Sequence, residues 1–290
     1  MRILIKAAVY LRMVKFSHTI FALPFALAAV VLVHRISPLD VRTVFWILMA
    51  MVGARSAAMG FNRLVDAFID GKNPRTAARE IPAGSITRGE AAVFIVSSTM
   101  LFIISAAMLS QLCFWLSFPV LGVLFAYSFT KRFTWLNHVV LGIAIGMAPM
   151  AVWVAVTGDL SGSIAVLSLA LVTYIAGFDI LYACQDAEFD RKEGLYSIPS
   201  RFGIAPAMRI STMLHIVSVA SLISLYWLFS FSSAYLVFVI IIGVLFVIEH
   251  RLVNPHDLSR IDMAFFHVNS IISVLVFFAI LSGEALRGVI

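Results

Sequence analysis

Asp179-Ile-Leu-Tyr182-Ala-Cys-Gln-Asp186-Ala-Glu188-Phe-Asp190 closes an apolar run that begins near residue 163. A second stretch, Asn62-Arg-Leu-Val-Asp66-Ala-Phe-Ile-Asp70, closes another run that begins near residue 42. The two places hold six of only 15 acidic residues in a chain of 290. Read as helices, 42–70 would extend about 43 Å and 163–190 about 42 Å, against a hydrocarbon core of ~30 Å. Each motif is therefore expected at or beyond a membrane interface, facing a watery cavity rather than lipid. Carboxylates beside lipid are expensive, so a repeated arrangement of them points to a bound cation.

The rest of the chain fits a membrane setting. Apolar residues make up 62% and charged residues 12%, about half the charge of an ordinary soluble domain. Nine stretches are long and apolar enough to span a bilayer, near 17–34, 42–70, 91–111, 113–130, 136–157, 163–190, 207–229, 232–250 and 262–283. The expected fold class is an all-α integral membrane protein. The loops are too short for a separate soluble domain, so 1–290 reads as one domain, with 1–15 as an amphipathic segment on the inner leaflet.

Sixteen of the 21 Lys and Arg residues fall before the first span or in the even-numbered loops. The positive-inside rule then places the N-terminus and both acidic motifs on the cytoplasmic side. Topology accounts for most of the net charge of +6, so it gives no reason to infer nucleic-acid binding. Cys113 and Cys184 stand in apolar surroundings and suggest neither a disulfide framework nor a zinc site.

At about 100° per residue, Arg55, Asn62, Asp66 and Asp70 share one stripe, and Asp179, Tyr182, Asp186 and Asp190 share another. Two ladders of carboxylates could not stay ionised unaided. Divalent cations resolve the repulsion, and Mg²⁺ characteristically joins one or two carboxylates to substrate phosphates. Basic residues crowd beside the ladders: Lys72, Arg75 and Arg79 follow the first, and Lys131 and Arg132 close the span near 113–130. Arginine suits phosphate because its planar fork donates two hydrogen bonds. A diphosphate held between metal ions and basic side chains explains both features.

In these strings the chain resembles the UbiA superfamily of intramembrane aromatic prenyltransferases. The matching residues are Asn62-xxx-Asp66-xxx-Asp70, Asn73-Pro-Arg-Thr-xx-Arg79-xx-Pro82-x-Gly84, Tyr127-x-Phe-Thr-Lys131-Arg132 and Asp179-xx-Tyr182-xxx-Asp186-xxx-Asp190. His18-Thr-Ile-Phe-Ala-Leu-Pro24 is also typical, and the likeness runs from about 12 to 280. Within the superfamily the chain looks most like bacterial 4-hydroxybenzoate polyprenyltransferases. The resemblance implies nine transmembrane helices around a central cavity open to the cytoplasm. It implies two Mg²⁺ ions bridging a polyprenyl diphosphate, held by Asn62, Asp66, Asp70, Asp186 and Asp190. Arg75, Arg79, Tyr127 and Lys131 would contact the diphosphate. Arg55, with Tyr182, would meet a hydroxylated aromatic acid, and Asp179 would sit on the inner wall of the catalytic site. The setting would be the inner membrane of a bacterium, with membrane lipid around the chain, in ubiquinone biosynthesis. A dihydroxynaphthoate acceptor, and so menaquinone biosynthesis, is the alternative suggested by Arg55-Ser-Ala-Ala-Met-x-Phe-Asn62-Arg63. A transporter of a phosphorylated lipid or ion is the rival of another class. It sits poorly with charges gathered at one face rather than at mid-membrane.

Overall fold

The computed structural model describes residues 2–287, with side chains from Lys6 onward. Residues 1 and 288–290, the outer ends of the expected single domain, lie outside the described residues. Twelve α-helices follow one another, and the described residues form no β-strand. They are α1 Arg2–Met13, α2 Leu23–His34, α3 Val41–Lys72, α4 Arg88–Leu109, α5 Gln111–Thr130 and α6 Asn137–Thr157. Then come α7 Gly162–Ala183, α8 Ala187–Lys192, α9 Ile198–Phe202, α10 Ile204–Leu228, α11 Ala234–Leu252 and α12 Asn269–Ala285. Nine segments among the described residues are long and apolar enough to cross a membrane, and each overlaps an expected span. Local chemistry sets several ends. Asp40 caps α3 by accepting from Thr43 N at 2.7 Å. Thr87 and Glu90 form a reciprocal capping box on α4.

Three segments depart from the simple helical expectation. The first span opens as a 3₁₀ helix, Phe16–Phe21, before α2. The span expected to run unbroken over 163–190 divides at a 3₁₀ turn, Cys184–Asp186, between α7 and α8. Gln185 Nε2 donates to the Tyr182 carbonyl at 3.2 Å there and takes up an acceptor at the break. The tighter winding turns Asp186 and Asp190 away from a strict 100° ladder. The last span opens with a π-helical turn, Met263–Val268.

The chain forms two compact units. One holds residues up to Thr19 with Asp40–Phe129, and the other holds Ile20–Leu39 with the residues from Thr130 onward. In the first unit α3 packs along α4. Tyr10 of α1 stacks on Phe94 at 5.1 Å, and Phe61 of α3 stacks on Phe125 of α5 at 4.5 Å. In the second, α7 lies between α6 and α10, and its face is buried over much of its length.

The α6–α7 approach rests on Gly142-Ile-Ala-Ile-Gly146, a small-xxx-small pair of the sort that lets membrane helices meet closely. A Cβ on Gly142 would stand 2.4 Å from the Val172 carbonyl oxygen, and one on Gly146 would stand 2.3 Å from Val172 Cγ2. Gly142→Ala should therefore lower stability by roughly 1–3 kcal/mol, read as thermal unfolding in detergent. Gly122→Ala, whose new methyl meets nothing within 4 Å, should leave the midpoint unchanged or slightly raised. Equal effects at the two positions would remove the close approach as the constraint.

Candidate active site

In the first unit, the last turns of α3 carry Asn62, Asp66 and Asp70. Asn62 Nδ2 donates to Asp66 Oδ2 at 3.1 Å. Asp66 is 3% and Asp70 5% exposed, so each carboxylate needs partners from the protein. Arg79 supplies them for Asp70: its Nη1 lies 2.7 Å from Oδ1 and 2.8 Å from Oδ2. The loop after α3 is shaped to bring Arg79 back. Asn73 O accepts from Thr76 N and Ala77 N at 2.9 and 2.8 Å, and Arg79 N donates to Thr76 O at 3.0 Å. Thr76 Oγ1 also fastens to the Asp70 carbonyl at 3.0 Å.

Two further arginines line α3. Arg63, off the acidic stripe and buried, donates Nε to the Met13 carbonyl at 3.2 Å. Arg55, on the stripe, donates Nη2 to the Lys15 carbonyl at 3.2 Å. Its Nε is buried with no partner among the described residues. Lys15 stands at φ 49°, a left-handed conformation that ends the first segment and turns its carbonyl to Arg55. Partial burial pushes the Lys15 ammonium below its usual range; Arg63, Arg79 and Arg75 add to this, against Glu80. Lys15, Arg63, Arg75 and Arg79 thus share one electrostatic neighbourhood with Glu80, and Arg63 also feels Asp66 and Asp70. Arg75 is exposed beside Arg79, and Tyr127 is half-buried on α5.

In the second unit, Asp179 Oδ2 lies 2.7 Å from His138 Nδ1 of α6. His138 Nε2 accepts from Ile198 N at 3.4 Å. That bond assigns the ring proton to Nδ1, which donates to Asp179. Ile198 opens α9, and its neighbour Ser197 donates Oγ to Asp190 Oδ2 at 2.9 Å. Asp179 and Asp190 are thus tied to adjacent residues of one short segment. Arg191 holds that segment by donating Nε and Nη2 to Ser200 O, both at 3.2 Å. Tyr196 N donates to the Lys131 carbonyl at 2.7 Å and brings the Lys131 backbone to it. Asp186, between Asp179 and Asp190 in sequence, is half-buried. Tyr182 stacks on Phe265 with centroids 4.1 Å apart.

Each predicted row therefore stands in its own unit with basic or hydrogen-bonding support. The sequence reading missed His138 and Ser197, and it saw in Lys15 a topology charge only. No three His, Cys, Asp or Glu side chains among the described residues stand assembled as a metal nest. What each row offers is oxygen ligands alone. That donor set suits a hard cation that completes its shell with phosphate oxygens and water rather than with a protein cage.

The spans define a multi-pass helical membrane protein that carries two rows of oxygen-bearing side chains, one in each unit. Residues 22–271 match the UbiA prenyltransferase family model. The chain belongs to that family and is a UbiA-type prenyltransferase, an enzyme. It is 30% identical over 231 residues to the 4-hydroxybenzoate octaprenyltransferase of Vibrio atlanticus, covering 79% of this chain and 80% of that one. Among solved structures it is similar to an apo UbiA homolog from Aeropyrum pernix K1, with TM-score 0.78 and 28% identity over 93% of this chain and 97% of the other. It shares its fold with a UbiA homolog from Archaeoglobus fulgidus bound to GPP and Mg²⁺, with TM-score 0.71 and 19% identity over 94% and 99% of the two chains.

His138→Leu removes both the donor to Asp179 and the acceptor for Ile198 N. The expected loss is about 1–3 kcal/mol of stability. Ser197→Ala removes the partner of Asp190 and the cap of α9 together, for about 1 kcal/mol or more. Thermal unfolding of the detergent-purified variants checks both, and an unchanged midpoint for His138→Leu would disprove the dyad's structural weight.

Proposed function

We propose that the chain transfers a polyprenyl group from polyprenyl diphosphate to the ring of a hydroxylated aromatic acid of the 4-hydroxybenzoate type, in respiratory quinone synthesis. The observation that carries this reading is the first row: buried Asp66 and Asp70 on α3, with Arg79 across both Asp70 oxygens and Arg63 in electrostatic reach of both carboxylates. The name of the Vibrio relative supports the benzoate acceptor over a dihydroxynaphthoate. Membership of an enzyme family speaks against the transporter. The two units would act as one catalytic domain in the cytoplasmic membrane of a bacterium, N-terminus inside, with a cavity open to the cytoplasm.

Asn62, Asp66, Asp70, Asp186 and Asp190 would hold Mg²⁺, two ions on this reading, a use supported by the Archaeoglobus homolog bound to GPP and Mg²⁺. When bound, the metal would neutralise charge growing on the leaving diphosphate. Arg75, Arg79, Tyr127 and Lys131 would take the remaining phosphate oxygens, with donors placed where charge develops. The allylic C–O bond breaks and diphosphate leaves with the electron pair. The acceptor ring forms the new C–C bond and then loses its ring proton. Arg55, whose Nε is buried without a partner among the described residues, would receive the acid's carboxylate. An intramembrane guanidinium with an unsatisfied N–H is a strong anion site. Asp179, oriented by His138, would stand on the inner wall of the catalytic site with Tyr182.

Asp66→Asn and Asp190→Asn should each lower turnover by at least ~100-fold, and chelation should abolish it reversibly on return of Mg²⁺. Membranes given Mg²⁺, one prenyl diphosphate and 4-hydroxybenzoate, with products identified by mass, test the reaction itself. Full turnover by Asp66→Asn with excess donor would refute the site. Arg55→Ala should raise KM for the acid at least ~10-fold while leaving that for the prenyl donor within about two-fold. Equal losses for both substrates would take Arg55 out of the acceptor site.

A further inference from the structure

The π turn Met263–Val268 interrupts the start of the last span and is locked by two fully buried polar side chains. Asn269, 0% exposed, spends one amide N–H on Ala264 O at 3.1 Å, a carbonyl of the π turn. Its second N–H goes to Glu249 Oε1 of α11 at 2.7 Å, and Glu249 is also 0% exposed. Tyr174 OH of α7 donates to the Asn269 backbone carbonyl at 2.7 Å. Three elements thus converge on one residue. Neither Glu249 Oε2 nor Asn269 Oδ1 has a hydrogen-bond partner among the described residues, and His215 Nδ1 stands 3.6 Å from Glu249 Oε2.

A π turn carries one more residue than an α turn and rotates the helix beyond it by about one residue step. Here that rotation has a visible product. Tyr174, Phe178 and Tyr182 recur at four-residue spacing on α7, and Phe265 from the π turn meets the last two. It lies 5.2 Å from Phe178, nearly perpendicular, and 4.1 Å from Tyr182, nearly parallel. Phe21 closes the group at 5.1 Å from Phe178 and 5.4 Å from Phe265. Phe21 and Phe178 are buried, whereas Phe265 and Tyr182 keep part of their surface uncovered. Tyr182 follows Asp179 by three residues on α7, so the two side chains leave one side of that helix.

We propose that Asn269 and Glu249 are positioning residues: they lock the π turn so that Phe265 and Tyr182 form an aromatic wall screening the prenyl cation from water. This rests on the function proposed above and deepens it. An aromatic face attracts a cation, and a fixed wall excludes the water that would convert the cation to a prenyl alcohol with release of a proton. Glu249 and Asn269 touch no substrate on this account. Their effect is on product partition through the ring.

The test uses the full chain in membranes with Mg²⁺, a prenyl diphosphate and 4-hydroxybenzoate. Released diphosphate, prenylated acid and prenyl alcohol are measured together. Phe265→Leu keeps an apolar side chain and the clamp but loses the π face, and the alcohol fraction should rise roughly five-fold, as expected for a ring–cation contact of ordinary strength. Glu249→Leu and Asn269→Leu should raise it similarly, Glu249→Gln should match the wild type because its amide oxygen still accepts from Asn269, and Phe265→Leu/Glu249→Leu should do no more than Phe265→Leu alone. An unchanged alcohol fraction in Phe265→Leu overturns the wall. Clamp variants that lose folded protein or total diphosphate release at constant partition, or that add to Phe265→Leu, overturn the positioning role. Should the leucine clamp variants fail to accumulate, Glu249→Asp, which keeps the acceptor oxygens on a shorter arm, must show an intermediate alcohol fraction or the role is refuted. Wild-type protein that releases no diphosphate with any acid would instead sink the reading of the site, a failure distinct from normal transfer with unaltered partition.

Discussion

A polar atom taken out of water must find its partner inside the protein, and in apolar helices that demand organises everything around it. Asp70 at 5% exposure would be intolerable as a bare carboxylate. Arg79 sits across both its oxygens, and the turns of 73–79 exist in the form that returns Arg79 to α3. In the second unit the same demand joins Asp179 to His138 and Asp190 to Ser197, and so fixes the segment around α9. Breaking a buried charged pair leaves one uncompensated charge, which costs far more than the pair contributes net. The loops beside the acidic rows are therefore shaped by charges in the helices together with the loop side chains that answer them, Thr76, Arg79 and Ser197.

Compensation within the first unit remains incomplete. Arg55 keeps a buried N–H without a hydrogen-bond partner among the described residues, and Lys15 shares its surroundings with Arg63, Arg75, Arg79 and Glu80. A site of this sort is most comfortable when an anion and its counter-cations arrive together. The carboxylates alone would repel a diphosphate, and the basic residues alone would repel the metal. With both kinds present, each ligand removes the objection to the other.

The fold was largely legible because span length and hydropathy are long-range averages. A run of some twenty apolar residues survives errors of several positions, and the nine expected spans overlap nine helical segments. The acidic rows were legible because carboxylates are rare in such runs. What escaped were changes of winding and distant pairings. The 3₁₀ turn at Cys184–Asp186 and the π turn at Met263–Val268 leave the hydropathy pattern intact while rotating side chains. His138 is a lone histidine opening an apolar helix, and nothing in its neighbourhood points 41 residues onward to Asp179. The Gly142–Gly146 spacing that brings these helices together was the one available signal.

The pairing of Glu249 with Asn269 bears on why such windings persist. Two fully buried polar side chains are weak evidence for stability, since apolar residues of similar volume would hold the same helices as well or better. What apolar packing cannot do is supply an acceptor for the Asn269 amide and, through it, a donor for the Ala264 carbonyl. Without them the turn would relax toward α-helical winding, and Phe265 would swing off the Tyr182 face. The polar pair therefore specifies one orientation of a ring at the cost of some stability. A helix that merely crossed the membrane would have no use for that exchange, whereas a helix that presents one face to a reactive cation would.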